Sequence, residues 1–410
     1  MLLAILHLNF SINWLSRIKA ITDKLISEGK KVIVIEVSRN DNTYSFASPI
    51  NREDINCKWI TLFGDIPLQS INPYKMSREI YTVLEKFIPD VVISSAIAFP
   101  TGSTSVRWCR NRRKISIIMD DSRVADVPRP FYVNLIKRHI YSNINAMFVP
   151  AESHLESYKF WGIKEEKIFY GTNVTDIAKF EEASRRIRMG IDKPNIKGIP
   201  TNGSYFLGIG RQIRKKNWKS LIEAYILYRK IVKENYLDLL LVGEGNESDE
   251  LMRIANNHKL DGIHFHKFCS PESVSYYYTS AAALILPSFY GETWGNVVTE
   301  AMASSLPVIV SNNCGCASSL VKENINGWQF NPTDVEDLAK KLINFTDLSP
   351  AARIEMGRMS NIICKKWSLE YLAENISLAV KKCMSDNRNY RHPIDYFILF
   401  IWRGRFNLAE

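Results

Sequence analysis

Two carboxylates with seven residues between them, Glu292 and Glu300, sit in the segment GETWGNVVTEAMA at 291–303. A carboxylate accepts hydrogen bonds from sugar hydroxyls, and one a turn into a helix can reach a ribose diol. Thr293–Val297 falls where a strand-end loop turns into a helix starting near Asn296. The main-chain N–H groups of Thr293, Trp294, Gly295, Asn296 and Val297, with the positive end of the helix dipole, then suit an anion. Gly295 lets the backbone approach closely. A surface turn with two solvated carboxylates fits the same spacing. Upstream, GIGRQIRKKN at 208–217 supplies Arg211 and Lys216, a planar fork and a point charge that can both address a diphosphate. Arg214 and Lys215 are expected in solvent, with Lys215 an alternative to Lys216. Without a metal, such cations would stabilise the charge on a departing diphosphate.

Other segments end in loops of the same kind. LLLVGEG at 239–245 is a buried strand breaking into a glycine loop at Gly243, and IHFHKFC at 263–269 offers Lys267 and Phe268 as backbone partners for a base. His264 and His266 share one strand face, but no third ligand is near, so a pair satisfied within the strand is expected rather than a metal site. The third glycine of a nicotinamide-cofactor fingerprint is missing, since Ile213 stands there. The basic run RWCRNRRK at 107–114 is expected as a solvated face, with an anionic membrane as its alternative partner.

Short β-branched runs must position these residues. Leu2–Leu8, Lys31–Val37, Val91–Ser94, Ile115–Met119 and Ala146–Pro150 read as strands, with a helix over Trp14–Ser27. After an Arg-, Gly- and Pro-rich stretch at 183–204 the pattern restarts, with strands at Tyr205–Ile209, Leu237–Val242, Ile263–Phe265, Ala283–Leu286 and Val308–Val310 and a helix over Ser220–Val232. Apolar strands alternating with helices imply βαβ units and parallel sheets, whose ligands lie at the carboxyl ends of the strands. The expected fold is α/β, two Rossmann-like lobes facing a cleft. The expected division is 1–185, a linker at 186–204, a second domain at 205–387, and a tail at 388–410.

A chain of 410 residues has room for two domains, and its 46% hydrophobic and 23% charged content suits a globular protein. The net charge of +10 favours anionic partners, but it is spread along the chain, so nucleic acid is not the expected one. Seven cysteines show no disulfide rhythm, and Cys314 with Cys316 lacks the second pair of a zinc site. The start, MLLAILHL, reads as a buried strand rather than a signal peptide, and no apolar run is long enough to span a bilayer. A cytoplasmic protein is expected, with peripheral membrane contact as an option. The apolar stretch Ile394–Trp402 is expected as a terminal helix packing across the lobes. Membrane-surface contact beside Arg403 and Arg405 is the alternative.

Together these segments resemble the retaining glycosyltransferases of the GT-B fold, glycosyltransferase family 4, over Tyr205–Met384. The resemblance is carried by the two glutamates, Ala301–Ala303, Leu306–Val310, Cys314–Cys316 and the Arg211/Lys216 loop. It implies that Glu292 contacts the donor sugar near the reacting centre and Glu300 the ribose. Arg211 and Lys216 would bind the diphosphate, with main-chain donors from Thr293–Val297. It also implies transfer with retention at the anomeric carbon and no need for a metal or other cofactor. The first lobe departs from the pattern. Asn9–Phe10–Ser11–Ile12–Asn13 stands where a glycine-rich loop is usual, and Asp120–Asp121–Ser122 where a histidine is. Asp120 or Asp121 can take the histidine's place as a hydrogen-bonding group or general base, or can cap a helix. Asn173, in the matching block 148–176, is expected near the cleft. The expected donor is a UDP- or GDP-sugar, and the acceptor a glycan or lipid-linked molecule, in bacterial surface polysaccharide biosynthesis. A nucleotide-sugar 2-epimerase and a non-catalytic sugar-nucleotide-binding scaffold are the alternatives.

Overall fold

The computed structural model of the protein describes residues 1–10, 14–41, 52–193, 196, 198–200, 205–258, 261–268, 271–385 and 393–404. Ser11–Asn13, residues 194, 195, 197 and 201–204 of the expected linker, Cys269, and 386–392 and 405–410 of the tail region (Arg405 among them) lie outside the described residues. The chain forms two compact units, Met1–Val174 with Leu369–Glu410, and Thr175–Ser368.

In the first unit seven strands pair in parallel. They are β1 (Leu2–His7), β2 (Lys31–Glu36), β3 (Lys58–Thr61), β4 (Val91–Ser94), β5 (Ile115–Met119), β6 (Ala146–Val149) and β7 (Ile168–Tyr170), in the order β3-β2-β1-β4-β5-β6-β7. The second unit holds β8 (Tyr205–Ile209), β9 (Asp238–Val242), β10 (Ile263–His266), β11 (Ala283–Leu286), β12 (Val308–Ser311) and β13 (Gly327–Phe330), also parallel, in the order β10-β9-β8-β11-β12-β13. Each sheet is doubly wound. Its strand order reverses between β1 and β4 in one and between β8 and β11 in the other, and ligands of such sheets bind outside the strand ends at that reversal.

Burial explains why the strands are so apolar. Leu207, Leu240, Leu284 and Ile309 are fully buried, because helices cover both faces of a parallel sheet. The helix Trp218–Ile231 turns Leu221, Ile222, Tyr225 and Tyr228 onto the second sheet, where they join Phe206, Leu239 and Ile285 in one core. The three strands absent from the sequence reading, β3, β7 and β13, are all edge strands. Strands as short as Ala283–Leu286 show as unbroken apolar runs, whereas β3 and β13 are interrupted by polar residues or glycine and β7 is only three residues long.

The unit boundaries differ from the expected 185 and 387. Arg185, Arg186 and Arg188, in the stretch expected to lead into a linker, close a helix, Ile177–Arg188. It packs on the helices Pro271–Ser280 and Asn296–Ala303 of the second unit. Only Ile177 and Ser184 of that helix are buried, so it has almost no apolar stripe to detect. Arg185 pairs with Glu182, Arg186 with Asp192, and Arg188 donates to the Ser304 carbonyl at 2.6 Å. At the other end, the helix Leu369–Ser385 belongs to the first unit. It buries Leu372, Ile376 and Val380 and packs on Trp14–Ser27, where Ser377 donates to Glu28 at 2.7 Å. Amphipathic periodicity shows that such a helix exists but not which sheet it covers. The tail helix, Pro393–Ile401, packs on Pro100–Arg112 and Phe131–Tyr141, both within the first unit.

Candidate functional site

The residues singled out in the second unit follow four neighbouring strands. In sheet order, Lys267 and Phe268 come after β10, Gly243 after β9, Arg211 and Lys216 after β8, and Glu292 after β11. The cation loop and the glutamate loop therefore flank the strand-order reversal, the place this topology reserves for a ligand.

Backbone fit sets the loop shapes. Gly243 has φ +140°, and a Cβ there would lie 2.0 Å from the Gly210 carbonyl oxygen. Gly245 is as close to Gln212, at 2.1 Å from its carbonyl oxygen. The loops after β8 and β9 thus press main chain on main chain, joined by Gly210 N–H to Val242 C=O and Gln212 N–H to Glu244 C=O, both 2.9 Å. Trp218 Nε1 donates to the Arg211 carbonyl at 2.9 Å and fixes that turn from the helix side.

Three links join the cation loop to the loop after β11. The Phe289 amide donates to the Lys215 carbonyl at 2.8 Å, and Asn217 Nδ2 donates to the Pro287 carbonyl at 3.2 Å. The third is an ion pair between side chains. Lys216 Nζ donates to Glu292 Oε2, which also accepts from the Ser288 hydroxyl at 2.9 Å. Burial pushes the Glu292 carboxyl up, but Lys216, Ser288 and Lys215 outweigh it and hold the group below the ordinary carboxylate range. Glu292 is consequently an ionised acceptor. Arg211 and Arg214 are exposed, while Lys215 and Lys216 are half-buried.

The helix Asn296–Ala303 starts where the sequence places it, after Gly295 at φ +107°. A Cβ on Gly295 would meet Leu286 Cδ2 at 3.0 Å and Cys316 Sγ at 3.3 Å, so glycine is needed for space as well as for conformation. Thr293 is half-buried, and buried Trp294 stacks edge-on against Trp367 at 5.1 Å. The Gly315 amide donates to the Glu292 carbonyl at 2.9 Å, and the Cys316 amide to that of Trp294 at 3.1 Å. The 314–316 loop therefore braces the glutamate loop. Asn296 and Val297 occupy the first turn, where amides lack intrahelical partners. One turn on, Glu300 Oε2 accepts from Tyr278 Oη at 2.9 Å, and burial with that carboxylate raises the phenol well above its ordinary range.

Tyr278 and Ser288 orient the two glutamates, and neither was singled out from sequence. Tyr278 lies in a run of three tyrosines with nothing to mark one of them. Ser288, four residues before Glu292, carried a weak signal as a hydroxyl at a strand end. At the sheet edge, Gly243 N–H donates to the His266 carbonyl at 2.8 Å, and exposed Lys267 pairs with Glu244 at 3.0 Å. His264 and His266 have separate partners, Asp238 at 2.9 Å and the Gly198 carbonyl at 3.2 Å.

In the first unit, Asp120 and Asp121 follow β5 and do different things. Asp120 is buried and accepts from the Ser122 amide at 2.9 Å, the Ser122 hydroxyl at 2.7 Å and Tyr141 Oη at 2.6 Å. Burial raises its carboxyl, but Lys137 and these donors outweigh it and hold the group low. It closes a turn rather than capping a helix. Asp121 accepts from Asn173 Nδ2 at 3.0 Å, so these two residues are brought together. His7, at the end of β1, was not singled out. It hydrogen-bonds the Asn9 carbonyl at 2.8 Å, and burial pushes its pKa down to about 4.

The basic run 107–114 is the expected solvated face only in part, with Arg112 and Arg113 exposed. Arg107 is buried and donates to Ser77 Oγ at 3.2 Å, Arg112 is paired with Glu85, and Lys114 with Asp90 at 2.7 Å. Among the described residues, no helix is long and apolar enough to cross a membrane.

Residues 191–358 match the family described as Glycosyl transferases group 1. An uncharacterised glycosyltransferase of Haemophilus influenzae is 26% identical over 184 residues, 44% of this chain and 50% of that protein. The O-antigen chain mannosyltransferase B of Escherichia coli is 32% identical over 109 residues, 26% of this chain and 28% of that one. The chain spans half or less of the length of these relatives. A crystal structure of a Rickettsia africae glycosyltransferase has a TM-score of 0.69 at 16% identity, covering 94% of this chain and 99% of that one. Anabaena HepE in complex with UDP gives 0.67 at 15%, covering 93% and 100%. At such identities the likeness is one of fold, the two-sheet α/β architecture of GT-B glycosyltransferases.

Proposed function

We propose that this chain, whose residues 191–358 match the glycosyl transferases group 1, moves a sugar from a nucleotide-sugar donor to a glycan or lipid-linked acceptor with retention at the anomeric carbon. The observation that carries the proposal is the Lys216–Glu292 pair joining the loops on either side of the β8/β11 reversal. One partner suits a diphosphate and the other a sugar hydroxyl, so a donor laid across the two loops meets both.

In this reading the nucleoside lies toward β9 and β10, beside Gly243, where Lys267 and Phe268 offer main-chain groups. Glu300, held by Tyr278, accepts from the ribose. Arg211 and Lys216, with the first-turn amides of Asn296–Ala303, take up the charge that builds on the diphosphate as the glycosidic bond lengthens. Glu292 accepts from the donor sugar's hydroxyls and orients its anomeric carbon. Because these cations neutralise the leaving group, transfer needs no divalent metal and proceeds unchanged in EDTA. The leaving phosphate takes the acceptor proton on the face it departs from, which gives retention.

UDP-sugars are the first donors to try, since HepE, one of the proteins of like fold, was crystallised with UDP. A surface polysaccharide is the proposed product, by analogy with the E. coli O-antigen mannosyltransferase. On the acceptor side, Asp121, paired with Asn173, is the carboxylate proposed to meet the acceptor hydroxyl, because Asp120 is spent on internal donors. The test is Glu292→Ala. Release of nucleoside diphosphate in the presence of acceptor should fall at least a hundredfold while nucleoside diphosphate still binds, and NMR of the wild-type product should show the donor's anomeric configuration. Undiminished transfer by the variant, or an inverted product, overturns the reading.

A further inference from the structure

Two adjacent helices of the first unit carry more apolar surface than they bury. On the helix Phe131–Tyr141, Phe131 is 82% exposed, and Tyr132 and Leu135 are more than half exposed. These positions share one helical face with exposed Arg138. On the helix Pro393–Ile401, the exposed residues are Ile394, Phe397, Phe400 and Ile401, again at helical spacing. The opposite face of that helix is already used. Leu399 is in the core with Ile140 and Met147, and buried Asp395 holds His139 at 2.9 Å and the Ser142 hydroxyl at 3.2 Å. The exposed stripes are thus an excess beyond what the fold needs. Contiguous exposed apolar surface of this kind marks a contact with something else.

Charge says what that contact is. On the helix Phe131–Tyr141, which has no acid, Arg138 is the exposed cation, while Lys137 turns in over Trp161 at 3.7 Å and His139 is held by Asp395. The sole acid of the other helix, Asp395, is buried and hydrogen-bonded. Arg403 lies 5.3 Å from the ring of Phe400. On the neighbouring helix Leu155–Phe160, Glu156 is paired with Lys159 at 3.0 Å. The face is therefore apolar with a cationic border, the pattern that seats aromatic side chains at the acyl boundary and arginines among lipid phosphates. Helices of 11 and 9 residues can lie in that interface but not cross it. A second copy of the chain is a poor occupant, since a twofold contact sets the same patch against itself and these two helices offer no exposed acid to meet Arg138 and Arg403. We propose that Phe131–Tyr141 and Pro393–Ile401 form a docking surface for an anionic phospholipid bilayer.

Co-sedimentation of the full chain with vesicles tests this. Phosphatidylcholine vesicles containing phosphatidylglycerol should bind the protein at least tenfold better than phosphatidylcholine alone. The double variants Phe131→Ser with Leu135→Ser, and Phe397→Ser with Phe400→Ser, should each lose at least tenfold of that binding with an unchanged melting temperature. Arg138→Glu, a single exposed change, should weaken binding to the anionic vesicles only, and keeps the test decisive should a serine variant misfold. Failure of the wild type to bind, or wild-type binding by the folded variants, overturns the proposal. So does a dimer in sedimentation velocity that the variants dissolve, because the face would then be a subunit contact.

Discussion

Lys216 donates through Nζ to Oε2 of Glu292, and the Ser288 hydroxyl donates to the same oxygen at 2.9 Å. The cation and the carboxylate proposed to hold the donor are thus paired with each other. The carboxylate keeps its charge despite its burial because of that pairing.

Removing the cation should therefore change the carboxylate as well as the diphosphate contact. In Lys216→Ala, burial of Glu292 is no longer offset by its main partner, and its pKa should rise. Deprotonated Glu292 is the working form, so the acid limb of the kcat/KM profile should move to higher pH. At neutral pH kcat/KM should fall roughly 10- to 100-fold, the worth of a charge-assisted hydrogen bond. A pH–rate profile that keeps its wild-type acid limb contradicts this coupling.

Tyr278→Phe deletes the hydroxyl that holds Glu300 and little else. A lost hydrogen bond to a charged group is worth about 1.5–3 kcal/mol, which sets an upper range for a group acting through another. The prediction is a KM for the nucleotide-sugar raised about tenfold with kcat changed less, since Glu300 is assigned to the ribose rather than to the reacting centre. Steady-state kinetics separate the two. A drop in kcat at constant KM would reassign Glu300.

The glycine loops give a stability prediction. Gly243→Ala sets a methyl carbon 2.0 Å from the Gly210 carbonyl oxygen in a backbone conformation that L side chains rarely adopt. We expect a loss of about 3 kcal/mol or more. Gly291→Ala meets only Lys215 Cδ at 3.9 Å and should cost about 1–2 kcal/mol for its left-handed backbone alone. Chemical denaturation of the two variants compares them. Equal losses would mean that the two loops do not need their close approach.

A pH effect belongs to the returning helix. Lys30 first, then Ser377 and Lys381, hold the Glu28 carboxyl down to about 2 from 4.5. A carboxyl depressed in the fold contributes stability above its unfolded pKa and loses it as pH falls through the folded value. The contribution is thus full above pH 4.5 and lost between there and about 2. Melting temperatures from pH 7 to pH 3 should show wild type and Glu28→Gln converging at the acid end. A constant gap would show that Glu28 acts by shape alone.

Much of the second unit was legible because its strands are short apolar runs and its site residues follow them directly. Tyr205–Ile209 and Ala283–Leu286 were placed to the residue, and the helix start at Asn296 was set by Gly295 before it. Side-chain partners were not legible. Nothing in sequence spacing shows that Tyr278 reaches Glu300 from another helix, or that Asp120 spends its oxygens on Ser122 and Tyr141. Charge runs were legible only in part for the same reason. Arg107 and Arg188 look alike in sequence, yet one is buried against Ser77 and the other is anchored to the Ser304 carbonyl. Which sheet a helix such as Leu369–Ser385 covers is likewise a tertiary fact, set by a long-range fit that local pattern does not encode.

The proposed transfer requires a nucleoside diphosphate to bind where the loops after β8 and β11 meet. Isothermal titration of the wild type and of Lys216→Ala with UDP, GDP and ADP tests it most directly. One nucleotide should bind the wild type with one-to-one stoichiometry, and at least tenfold more weakly to the folded variant. Absence of binding by all three, or equal affinity in wild type and variant, would contradict it.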